Sequence, residues 1–392
     1  MHAAARRQRG VALLVVLVAL GLLVGMLAIG FAGDLVRQNQ SQQRTTDALA
    51  QAREALIGWS VQRTSSVLLP NARPGELPCP DINPLDGFED GSCAAGAIGR
   101  VPWKTLGIPE PKDDAGETLW YAVAGPFRIW SLNGTVINSD ARGDLTVYQD
   151  STASAITTKA VAVLFTAGAA LGTQNRDPVA TALCPTTGTS IALNLCAANY
   201  LETATTVNNA TTNGPYISAQ RSDTFNDRLL VITNAELMPV VEQRVAREIL
   251  TLLQSYRAAS ACACYPWAAI NFDDDSVAGT TRGGVPIQDA LPEVWGAAPI
   301  PSVPGWITNN NWGMVFYYAV APAETATPTA GTLTVDVVSK NVVLITPGPA
   351  GASRPSTNLP DYLDDAENSN NNDIFVTPSS TAYARDRIYV IP

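Results

Sequence analysis

The stretch from Val11 to Gly33 carries no charged residue and follows directly on Arg6-Arg7-Gln8-Arg9-Gly10. At about 1.5 Å per residue, a helix over that run matches a hydrocarbon core about 30 Å thick. The expectation is a membrane anchor. Arginines before the run and Asp34 after it place the N-terminus in the cytoplasm by the positive-inside bias, with everything beyond Gly33 on the far side. The run is longer than the apolar core of a secretory signal peptide and does not end in a polar break. Past Asp34 the helical pattern continues: Leu35, Ala48, Leu49, Ala52, Ala55, Leu56 and Trp59 recur at three- and four-residue spacing, and Pro70 is the first proline. One helix is expected over 11–64, with 11–33 transmembrane.

Charge and histidine content narrow what the rest can do. The net charge is −10, and removing residues 1–10 takes away three of the 25 basic residues and none of the 35 acidic ones. A surface this acidic, with only four scattered lysines, disfavours nucleic acid as a partner. The single histidine is His2. The chain beyond residue 10 therefore cannot build a Ser-His-Asp triad, a Cys-His pair or a histidine zinc site; carboxylate-only chemistry such as glycoside hydrolysis survives, but no spaced acid pair stands out, and no enzymatic activity is expected.

Six cysteines in an exported region read as disulfides. Local spacing favours Cys79 with Cys93 and Cys184 with Cys196. That leaves Cys262 and Cys264, whose Cys-Ala-Cys spacing would make a strained ring and allows either a structural link or redox chemistry. Between the first pair lies Asp81-Ile82-Asn83-Pro84-Leu85-Asp86-Gly87-Phe88-Glu89-Asp90. Hard oxygen donors around a glycine turn suit calcium, which makes Asp81, Asn83, Asp86 and Asp90 candidate ligands. The spacing departs from an EF-hand loop and lacks its distal glutamate, so a solvated, disulfide-stapled turn is the alternative.

A second helical pattern at 240–258, with Val241, Val245, Ile249, Leu252, Leu253 and Tyr256 on one face, exposes an internal repeat. Leu77-Pro78-Cys79-Pro80 after the first helix answers to Ala263-Cys264-Tyr265-Pro266 after the second. Leu119-Trp120-Tyr121-Ala122-Val123 answers to Phe316-Tyr317-Tyr318-Ala319-Val320, and Lys159-Ala160-Val161-Ala162-Val163-Leu164 to Lys340-Asn341-Val342-Val343-Leu344-Ile345. Asn199-Tyr200-Leu201-Glu202 and Arg228-Leu229-Leu230-Val231-Ile232 match Asp361-Tyr362-Leu363-Asp364 and Arg387-Ile388-Tyr389-Val390-Ile391 in the same order. The tryptophans spread through both copies read as core rather than as a ligand surface.

A short basic leader ending in glycine, then an apolar residue opening a long helix, resembles the N-terminus of type IV prepilins and pseudopilins. The resemblance implies cleavage after Gly10 by prepilin peptidase and methylation of Val11. The family's fifth mature residue is usually glutamate; here it is Val15, as in the K-type minor pseudopilin that caps its filament. The implied fold class is α+β: a long N-terminal transmembrane and amphipathic helix followed by two tandem pilin-like domains, each a helix with an antiparallel sheet. Its parts are a leader at 1–10, the helix at 11–64, a first head at 65–233 and a second at 234–392. The implied function is a structural minor pilin or pseudopilin at the tip or start of a type IV pilus or type II secretion filament. Its partners would be prepilin peptidase, other pilins or pseudopilins, the inner-membrane assembly platform and the membrane itself. The implied location is the inner membrane, single-pass, with the bulk periplasmic or on a surface filament. The alternative is a membrane-tethered binding module or adhesin that does not polymerise.

Overall fold

The computed structural model describes residues 5–63, 72–129, 135–176, 195–273, 275–346, 348, 354, 359–378 and 386–392. The first element is helix α1, Ala5–Gln62, which already includes most of the expected leader. Its C-terminal part packs on protein: Ala48, Leu49, Ala52, Leu56 and Ile57 are buried at three- and four-residue spacing. Thr45 and Ser41 tie the same helix to Asp114, with Thr45 Oγ1 donating to its carboxylate at 3.1 Å.

Eight strands follow: β1 Ile98–Arg100, β2 Trp120–Val123, β3 Leu145–Gln149, β4 Ser151–Thr166, β5 Thr203–Ala204, β6 Val207–Asn208, β7 Tyr216–Ser218 and β8 Arg228–Thr233. β2 and the second half of β4 are apolar on both faces, as strands with both faces covered must be. β4 is flanked there by β2 and β8, and its first half turns back onto β3, which pairs in parallel with β7. Helix α2, Asn234–Ala259, begins where β8 ends. Thr233 and Glu236 form a capping box, in which the Thr233 N–H donates to Glu236 Oε2 at 2.8 Å. Sequence periodicity places this helix at 240–258 with Pro239 near its start. The capping box starts it a turn and a half earlier and leaves Pro239 inside.

The second half contributes β9 Arg282–Gly284, the short helix α3 Gly305–Thr308, β10 Tyr317–Val320, β11 Leu333–Val335, β12 Val338–Lys340, β13 Val342–Thr346, β14 Ile374–Phe375 and β15 Arg387–Ile391. The path β9-β10-β13-β15 has the pairing order of β1-β2-β4-β8, and β11 pairs in parallel with β14 as β3 does with β7. The long strand is interrupted in this half. Asn341 breaks it between β12 and β13, where its backbone and side-chain amides bond Ile391 O and Pro392 O. Tyr121 OH donates to Pro78 O, and Tyr318 OH to Pro266 O, at 3.1 and 2.9 Å.

These observations correct two expectations. The fold is mixed α/β built on several small sheets, of six, four, three and two strands, with parallel pairs among them. It is not a long transmembrane helix followed by two pilin-like heads, each with one antiparallel sheet. One apolar core also runs through both halves, from Leu56 through Val163, Val245 and Trp312 to Leu344 and Ile391. The expected single-pass inner-membrane location fails as well. Among the described residues, no helix is long and apolar enough to cross a membrane.

Buried carboxylates close the ends of both sheets. Asp386, 4 % exposed, accepts the N–H groups of Asp364 and Asp365 beside an Asn368 that bonds both backbone groups of Val376. Removing it leaves two donors unpaired, at about 1–3 kcal/mol each. Asp386→Ala should therefore lower the urea midpoint by an amount equivalent to about 2–4 kcal/mol. Asp386→Asn, which keeps an acceptor oxygen, should recover most of that loss.

Candidate functional site

Three regions carry the chemistry of this chain, and the first is the exposed apolar part of α1. Leu14, Val15, Val16, Leu17, Val18 and Leu20 are each 54–64 % exposed. With Ala19 they form one unbroken stretch, so they face all sides of the helix, and none of the described residues covers them. Gly10 and Val11, the expected processing pair, lie just ahead within the same helix. A peptide bond inside a helix has to unwind before a peptidase can take it.

The second is the loop stapled by the Cys79–Cys93 disulfide, whose Cα atoms are 5.7 Å apart. Asp81 is 2 % exposed and its Oδ2 accepts the Gly87 N–H at 2.8 Å, while Oδ1 is buried without a partner. Gly87 sits at φ +88° against the Trp103 ring, a place where a side chain would collide. Asp86 Oδ1 accepts the Phe88 N–H at 3.0 Å, Asp90 accepts from the N–H groups of Asn83 and Ile82, and Asn83 is exposed. Of the four calcium candidates, Asp81 Oδ2, Asp86 and Asp90 accept the loop's own amides and Asn83 faces solvent, which leaves Asp81 Oδ1 buried and unpaired. Among the described residues, no group of three or more acidic, cysteine or histidine side chains could hold a metal ion. Burial lifts the Asp81 carboxyl from 3.8 to about 6, with the charges of Asp86 and Asp90 adding to the shift.

The third was not expected from the sequence: a pair of buried acids, Glu202 and Asp227, each holding the backbone of the other. Asp227 Oδ2 accepts the Glu202 N–H and Asn209 Nδ2, both at 2.9 Å, and Glu202 Oε2 accepts the N–H groups of Asn226 and Asp227. Burial first, and the neighbouring Glu202 carboxylate second, push the Asp227 carboxyl well above the usual range. Asp227 also lines a cleft of about 630 Å³ with Gln42, Asp114, Asn226, Arg221 and Arg228. The signal available in the sequence was the acid that follows Tyr-Leu in both copies, together with the Asp-Arg that opens the last strand of each.

The remaining cysteines are bonded where they are described: Cys262 to Cys264, and Cys196 in a disulfide. Cys184 lies outside the described residues.

Since the folded-state value of Asp81 exceeds the ordinary one, its contribution is fully present below about pH 4 and is lost as pH rises through about 6. Asp81→Asn should flatten that limb. Urea melts should show a gain over the parent of up to about 2 kcal/mol at pH 7.5, vanishing near pH 4. A difference that does not change with pH would show that another group titrates.

No family model matches the chain, and no curated protein or solved structure is detectably similar to it.

Proposed function

We propose that the chain is a structural subunit and not an enzyme: a minor pilin or pseudopilin at the tip or start of a type IV pilus or type II secretion filament. The observation that carries this reading is the exposed run from Leu14 to Leu20, on the same helix whose later turns are buried against the sheets and α2. Covering six such side chains would contribute on the order of 10 kcal/mol before the costs of association. Helices of neighbouring subunits are surfaces of the right chemistry, because they can surround an apolar rod on all sides. In this reading prepilin peptidase acts at Gly10 and methylates Val11. Val15 brings no carboxylate to pair with a neighbour's terminal amine, which suits a subunit that has no neighbour ahead of it.

A photo-crosslinking residue in place of Leu17 provides the test, in cells that make the filament and its peptidase. Pilin or pseudopilin subunits should be captured, capture should fall at least about tenfold when Leu14→Glu is added, and mass spectrometry should find N-methylated Val11. Crosslinks that contain no such subunit, with Met1 intact, would overturn this reading.

A further inference from the structure

The Cys262–Cys264 disulfide is placed differently from the Cys79–Cys93 staple. Cys79 is fully buried and Cys93 packs against the core, and their bond closes a loop across a sequence separation of 14. Cys262 is exposed and only Cys264 is buried, and the separation is 2. A ring that small removes little chain entropy from the unfolded state, so it adds little to stability.

The turn around the pair is also held without its sulfurs. The Ala263 N–H donates to Ser260 O at 3.0 Å, and the Cys264 N–H to Ser260 Oγ at 3.2 Å. Arg257 Nε donates to Ala263 O at 3.0 Å, and the Ala261 N–H to Glu293 Oε1 at 2.6 Å. The neighbouring Tyr265 N–H bonds Glu324 O, and Glu324 in turn pairs with Arg257 at 2.5 Å. Breaking the S–S bond therefore leaves the two sulfurs in place, one facing solvent. The guanidinium of Arg257 is anchored on the carbonyl between the two cysteines and paired with Glu324, and Glu293 is the second acid facing the same turn. Ser260 Oγ lies 3.7 Å from Cys262 Sγ and can donate to it once it is a thiolate.

We propose that Cys262 and Cys264 form a reversible redox site that exchanges with dithiols through the exposed Cys262 sulfur while the Cys79–Cys93 staple stays closed. One thiolate of the dithiol attacks Cys262 Sγ. A mixed disulfide forms, the bond to Cys264 breaks, and its electron pair goes to Cys264 Sγ, which takes a proton from water. The second thiolate then attacks its partner sulfur in the mixed disulfide, releasing Cys262 as a thiol after protonation. The dithiol loses two electrons and two protons, and the cysteine pair gains them.

The full chain should be equilibrated in a series of reduced-to-oxidised dithiothreitol ratios, quenched in acid, alkylated with N-ethylmaleimide and mapped by peptide mass spectrometry. Cys262 and Cys264 should be half reduced at a ratio at least about tenfold more oxidising than Cys79 and Cys93 require, about 30 mV for this two-electron couple. The near-ultraviolet circular dichroism should be unchanged at that point. Opening of both pairs together, or opening only with loss of the tertiary spectrum, would overturn the proposal. Two variants identify the attacked sulfur. With Cys264→Ser, the remaining Cys262 should react with dithiobis(nitrobenzoate) at least about tenfold faster than the Cys264 left by Cys262→Ser. Equal rates would remove Cys262 from that role.

Discussion

The rest of the structure depends on helix α2 being wetted by apolar residues on more than one side. A helix that lies on a single sheet needs one stripe, but α2 buries Leu237, Val241 and Val245 as well as Met238, Ala246 and Ile249. It packs on β4 and β8 of the first half and on β13 and β15 of the second, and it also meets α1. Taking the second half away would expose much of that surface, at about 25 cal/mol for each Å². The two halves are therefore joined by hydrophobic burial, with polar ties laid over it. Arg354 reaches across to Asp140, and Asn310 accepts from the Ile137 N–H and from Asn138 Nδ2.

That geometry shapes the use of acid in a chain with net charge −10. Several carboxylates are taken out of water to hold backbone amides where loops leave the sheets: Asp81, Asp113, Glu202, Asp227 and Asp386. Each accepts N–H groups that would otherwise be buried unpaired, and each has to be desolvated to do so. In the Asp81–Asp90 loop, rich in oxygen donors as a sequence, Asp81 Oδ2, Asp86 and Asp90 are used in this way on the loop's own amides.

Some of this was legible in the residues and some was not. The strands Trp120–Val123 and Val342–Thr346 stand out as β-branched and aromatic runs, and the Cys79–Cys93 pair follows from its local spacing. The parallel pairs β3/β7 and β11/β14 do not stand out. Their partners lie far apart in sequence, and the short strands β7 and β14 carry no periodicity of their own. The Glu202–Asp227 clamp was hidden for a similar reason: nothing local distinguishes an acid that faces a distant amide from one that faces water.

By itself the sequence determined where helix and strand can form, because periodicity, proline placement and β-branched runs act over a few residues. It also determined that the chain has an unbroken N-terminal helix whose described surface between Leu14 and Leu20 is apolar all round. Only the tertiary structure decided that two similar halves share one core instead of standing apart. That outcome depends on α2 presenting apolar surface toward both sheets at once. Only the tertiary structure decided, too, which carboxylates are spent inside and which cysteine faces solvent, since burial belongs to the packed chain and to no residue alone.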